Sequence, residues 1–213
     1  MNFRLERVTD PEVEPILLAE MKRHLRVYDD ITSEDDDIDS LIVAAREWVE
    51  DYTGRALIDQ QWRLTFGERV AIDPVQQHVC YCGVSRDSST SIYLHRSPVL
   101  AIESFVSVDA AGVETAVDEA NYQLREADSR WPRVVALNGA SWATGQYRIV
   151  FRAGFANRDV SPVEGAEVVP KRFLQAMKLW TEANYDRDER LMPLLLDVAE
   201  RLVRPERAEI GLA

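Results

Sequence analysis

At 213 residues, with 46% hydrophobic and 29% charged side chains, the chain has a globular composition that excludes wholesale disorder and suits one large domain or two small ones. Its net charge of −12, from 37 acids against 25 bases, argues against nonspecific binding to nucleic acid or an anionic membrane. No apolar run approaches the ~20 residues of a membrane span, and two cysteines cannot make a disulfide framework, which suits a reducing cytosol.

The charge is uneven along the chain. Residues 1–60 hold 16 acids and 7 bases, whereas residues 61–213 hold 21 and 18 and are nearly neutral. The opening MNFRLERVTDPEVEP has no apolar core and no small-residue cleavage site, so it reads as a polar leader and not as a signal peptide. Leu18, Met21 and Leu25 then mark one face of a short helix. Asp29 to Asp39 is an acidic break with seven carboxylates, in which Ser33 and Asp36 have the spacing of an N-cap and its capping-box partner. Ile38, Leu41, Ile42, Ala45, Val49 and Tyr52 form a stripe that predicts a helix over about 34–53, stopped by Gly54 in a left-handed conformation.

The period then changes. Trp62, Leu64 and Phe66 alternate with polar residues as in a half-buried strand, and residues 67–91 read as a long loop or irregular hairpin. Ile92 to Leu94 is a short strand closed by Pro98. A hairpin runs from Phe105 to Val117 around Asp109-Ala-Ala-Gly112. Tyr122 to Leu124, Arg133 to Leu137 and Gln146 to Phe151 are further strands, and Gly154 with the 157–165 stretch is a connector. Helical spacing returns in Phe173, Leu174, Met177 and Trp180 after Pro170. It appears again in Leu195, Val198 and Leu202 after Pro193, until Pro205 stops the helix. The fold class is therefore α+β, with N-terminal helices, a central antiparallel β region and C-terminal helices. The segments are an acidic helical part over 1–60, a β-rich middle over 61–168, and helices with a tail over 169–213, which can close into one compact domain.

Chemistry-bearing motifs are weak. His78, Cys80 and Cys82 supply three possible zinc ligands, but structural zinc wants a fourth and C-x-C is not the usual spaced pair. Ser141 sits in Gly139-Ala-Ser-Trp-Ala143, which lacks the final glycine of a nucleophile elbow and is flanked by strands on both sides. The acidic run has no glycine for a calcium loop. Five tryptophans belong first to the core, although Trp48 lies off the centre of its stripe and can reach a neighbouring subunit. A small metal-dependent or serine hydrolase would need the 78–82 segment or Ser141; no catalytic residue, metal or cofactor is expected.

Taken in order, Leu18-Ala-Glu-Met-Lys-Arg-His-Leu-Arg-Val27, the acidic break and Leu41 to Arg55 resemble the head–tail connector (adaptor) proteins of long-tailed phages and of phage-like gene transfer agents. The series continues through Gln61 to Phe66, Ser97-Pro98, Asn121-Tyr122, Phe151 to Phe155, Val169 to Ala176, Ala183 to Arg187 and Leu202 to Arg207. Leu17 stands where that family often has Thr or Ser, so the first helix needs another cap, for which Glu14 is the candidate. The 67–91 stretch is longer than the usual connection.

The resemblance implies a mechanical part rather than a catalyst. Such adaptors form a ring, typically dodecameric, beneath the portal protein in the neck of the virion. They are made in the host cytoplasm, and they extend the DNA channel toward a stopper or tail-completion protein. A stopper or tail-completion role is the neighbouring alternative. In this chain Trp48 would contact the next subunit. Asp35, Asp36 and Asp37 would face the channel and repel phosphates, so that DNA passes without specific binding. The stretch after Pro205 should be mobile in the free subunit. Its Arg204, Arg207, Ile210 and Leu212 would then dock on the portal, with no membrane involved.

Overall fold

The first element of the fold is a strand where the sequence reads as a polar leader: β1 (Phe3–Thr9) pairs antiparallel with β2 (Gln60–Phe66). Its pattern is faint because Leu5 stands between charged neighbours, and only pairing with a strongly alternating partner turns it into an edge strand. A computed structural model describes residues 3–67, 91–139, 142, 146–155, 168–186 and 188–207. Among these, residues 3–10 and 59–154 form one compact unit, and 11–58 and 155–207 form another.

Among the described residues the first unit is built on antiparallel strands, with a short 3₁₀ turn at Glu119–Asn121. The strands β3 (Ser91–Tyr93), β4 (Val99–Val108), β5 (Glu114–Ala116), β6 (Tyr122–Arg125), β7 (Arg133–Ala136) and β8 (Gln146–Ala153) join β1 and β2. They make a five-stranded sheet ordered β1-β2-β8-β4-β5 and a three-stranded sheet ordered β3-β7-β6. Alternation in β2 and β8 sends one face of each inward, so Trp62 lies opposite Phe151, Leu64 opposite Ile149 and Phe66 opposite Tyr147. Phe105 of β4 packs edge-on against Tyr122 of β6, with ring centroids 5.2 Å apart, and against Trp142 at 5.1 Å. The predicted hairpin is present: Asp109 accepts from the Ala111 and Val113 amides, and Gly112 takes φ +83° to close the turn.

The second unit is helical: α1 (Leu18–Leu25), α2 (Asp35–Thr53), α3 (Lys171–Asp186) and α4 (Met192–Val203). Its core joins Met21 of α1, Ile38, Ile42, Ala45 and Val49 of α2, Phe173, Ala176 and Met177 of α3, and Ala199 and Val203 of α4. Gly54 ends α2 at φ 73°, as its position predicts.

Two expected caps are corrected. Neither Ser33 nor Asp36 caps α2, which starts after Glu34 with no side-chain cap. The chain ahead of it is instead turned around Lys22, and Asp35, Asp36 and Asp37 in the first turn favour the positive helix end by charge alone. Likewise no side chain caps α1, because the Glu14 carboxylate is taken by Arg46.

Candidate partner-binding surfaces

The acidic break is built around a buried cation. Met21 and Lys22 turn inward on α1, and the Lys22 ammonium donates to the carbonyls of Asp29 (3.3 Å) and Ile31 (2.6 Å) and to Asp35 Oδ1 (2.8 Å). An internal lysine thus occupies the oxygen cradle that the acidic sequence offers. Asp35 is partly shielded, while Asp29, Asp30, Asp36 and Asp37 stay exposed. The turn between the helices is closed by the Ile31 amide donating to the Tyr28 carbonyl at 3.1 Å.

The same unit holds a second, largely buried charge cluster. Arg46 donates to Glu14 (2.9 Å) and Glu50 (2.9 Å), and Glu50 also accepts the Leu57 amide at 2.8 Å. Burial alone would lower the Arg46 pKa, but Glu50 and Glu14 outweigh it and hold the guanidinium above its usual value. Lys22, Arg46 and Glu50 escape sequence reading because they sit on apolar faces. The only available signal was their helical spacing within those faces.

Trp48 is partly exposed at the edge of the core and lies near parallel to Tyr52 and Trp180, with centroids 5.9 and 6.4 Å away. Tyr52 donates to Glu200 Oε1 at 2.9 Å, and burial followed by that carboxylate raises its pKa. Tyr185 donates to Glu34, which pushes its pKa up to about 12 and ties the end of α3 to the start of α2.

The helix α4 buries a different stripe from the one its sequence predicts. Ala199 and Val203 face the core, Leu202 packs partly against it, and Val198 is exposed, because the small alanine allows α4 its close approach. The chain beyond Pro205 is also corrected. Arg204 to Glu206 form a 3₁₀ turn, pinned where Glu206 meets Arg172 at 2.8 Å and Arg55 at 3.7 Å. The Arg207 guanidinium then lies 5.2 Å from the centroid of the Tyr52 ring. The turn therefore holds Glu206 and Arg207, the first residues of the stretch expected to be mobile, and Arg204 and Arg207 are both exposed. Ile210 and Leu212 lie outside the described residues, as do His78, Cys80, Cys82, Ser141 and nearly all of the 67–91 stretch. Among the described residues no three His, Cys, Asp or Glu side chains gather to hold a metal, and no helix is long and apolar enough to cross a membrane.

Residues 15–79 match the family model described as phage gp6-like head-tail connector protein. That span contains α1, the acidic turn, α2 and β2. No curated protein matches the chain. Among solved structures it is similar to a chain in the neck of an empty gene transfer agent particle computed with C6 symmetry, at 26% identity and TM-score 0.72. That match covers 99% of this chain and 98% of the other. A chain in the virion of a native gene transfer agent particle matches at 26% and 0.72, covering 98% and 97%. One from the neck of a native particle computed with C12 symmetry matches at 26% and 0.68, covering 99% and 98%. The connector resemblance drawn from the sequence therefore holds, and the role it carries is that of a structural head–tail connector.

Proposed function

We propose that the chain is a non-catalytic subunit of a ring in the neck of a phage or phage-like particle, placed beneath the portal, and that it extends the DNA channel toward the tail. The observation that carries this is the likeness to neck chains over nearly the full length of both partners, in particles computed with C6 and C12 symmetry. The C12 case supports a dodecameric ring. Within it, Trp48, which stacks on both Tyr52 and Trp180, is a subunit contact. Asp36 and Asp37, with Asp35 behind them on Lys22, give the channel its negative field. A stopper or tail-completion protein follows below, and DNA passes without specific binding.

In this reading the tail docks on the portal from a fixed exit point. Arg204 opens the pinned 3₁₀ turn and Arg207 follows it, so both can donate charge-assisted bonds, and Ile210 and Leu212 supply apolar anchors. The test is capture of purified portal protein by the full chain and by a chain truncated after Arg207, which leaves the Glu206 anchorage intact. The expected result is that both melt at the same temperature and only the full chain retains portal. Retention by the truncated chain would remove Ile210 and Leu212 as anchors and leave docking to Arg204 and Arg207 or to the 67–91 stretch. Failure of the full chain would overturn the neck placement.

A further inference from the structure

We propose that neighbouring copies join through two different patches of the helical unit: the outer stripe of α4 on one copy and the Tyr28–Ile31 turn on the next. This rests on the ring reading above and adds the surfaces that make the ring. Leu191 at the N-cap of α4, with Leu194 and Val198 in the helix, has the i, i+3, i+7 spacing of one face, and the three are 51%, 62% and 46% exposed. The same stripe runs on to Arg201, whose side chain is 72% exposed beside Asp197. Ala199 and Val203 already satisfy the core side of this helix, so the exposed leucines and valine are surplus to the fold.

The second patch is the turn between α1 and α2. Tyr28 is 76% and Ile31 39% exposed, and between them stand the exposed carboxylates of Asp29 and Asp30. Unlike an ordinary loop tip, this turn is held from beneath. Lys22 clamps the Asp29 and Ile31 carbonyls, and the Ile31 amide bonds the Tyr28 carbonyl. A buried lysine that fixes an exposed tyrosine and isoleucine is a preorganised binding surface, with little ordering entropy left to lose.

The two patches complement each other in kind. One is apolar and ends in Arg201, whose exposed pair with Asp197 at 2.8 Å leaves guanidinium donors over for a second carboxylate; the other is apolar around two acids. Each stays exposed in the single chain, so neither covers the other within one copy. A closed ring needs a heterologous contact of this sort, with a different surface on each side.

The experiment uses full-length chains carrying Leu194→Asp or Tyr28→Asp, followed by sedimentation velocity over a wide concentration range. Both positions are exposed, so circular dichroism melts should match the wild type; Leu194→Ala and Tyr28→Ser are the milder forms if either does not. Each variant alone should weaken self-association by about tenfold or more. Mixed one to one, they should form a pair through the single intact contact and nothing larger, because the other contact carries both aspartates. Wild-type-like assembly of both variants would overturn the two-patch contact and leave the ring reading standing. Loss of assembly without pairing in the mixture would also overturn it. A wild-type chain that stays monomeric at every concentration and with portal present would remove the ring reading itself.

Discussion

Glu50 serves two buried donors at once, the Arg46 guanidinium and the Leu57 amide, and is itself only 2% exposed. Removing one member of such a cluster leaves the others charged and desolvated. Glu50→Ala should therefore lower the unfolding free energy by about 3–5 kcal/mol in urea titrations. His95 makes the opposite kind of contribution. Burial, then the Arg96 charge, lowers its pKa from 6.5 to about 4, so the fold prefers the neutral ring. The unfolded chain binds the proton first, and stability present above pH ~6.5 is lost as the pH falls toward 4. The loss is on the order of 3 kcal/mol. Urea midpoints measured across that range for wild type and His95→Gln should converge on this difference; parallel profiles would assign the acid sensitivity to other groups.

Elements here are decided by their ends as much as by their faces. The 19 residues of α2 finish on Gly54 at φ 73°, a conformation that costs an L-residue about 1–2 kcal/mol. Gly54→Ala should destabilise by about 1 kcal/mol in the same titration, without altering helix content by circular dichroism. A neutral outcome would mean that the helix end can relax without reaching the left-handed region. The 3₁₀ turn after α4 is held through Glu206 by two arginines, so truncation is informative only beyond Arg207. On the β side, β4 carries two register irregularities against β8, yet keeps Phe105 opposite Ile149. Bulges of this kind bend the strand without moving its buried face to the outside.

At the scale of the whole molecule the acidic surface is the feature most open to test. Asp36 and Asp37 are exposed and repeat in every subunit of a ring, whereas Asp35 is partly neutralised by Lys22 at 2.8 Å. The double variant Asp36→Asn/Asp37→Asn therefore probes the field without disturbing the buried cation. Assembled rings of this variant should retain more DNA than wild type at low salt and about the same at high salt, where the field is screened within ~8 Å or less. Unchanged retention at low salt would mean that this segment faces away from the channel. Asp35→Asn is the control for fold: it should lower stability by loosening Lys22 and add little to DNA retention.

The sequence by itself determined the element types over most of the chain. Helical and two-residue periods are local, and those of α1, α2, α3, β2 and β8 are strong enough to survive without knowing what they pack against. It also determined the connector resemblance, because ordered short motifs are legible one after another. Tertiary structure decided what depends on residues far apart. β1 exists only because Trp62, Leu64 and Phe66 form a strand more than fifty residues later. The α4 stripe rotated because Ala199, and not Val198, meets the core. Lys22 and Arg46 became buried cations only when distant carbonyls and carboxylates closed around them. Desolvating a charge is favourable only with its partners in place, and a linear pattern does not contain that placement.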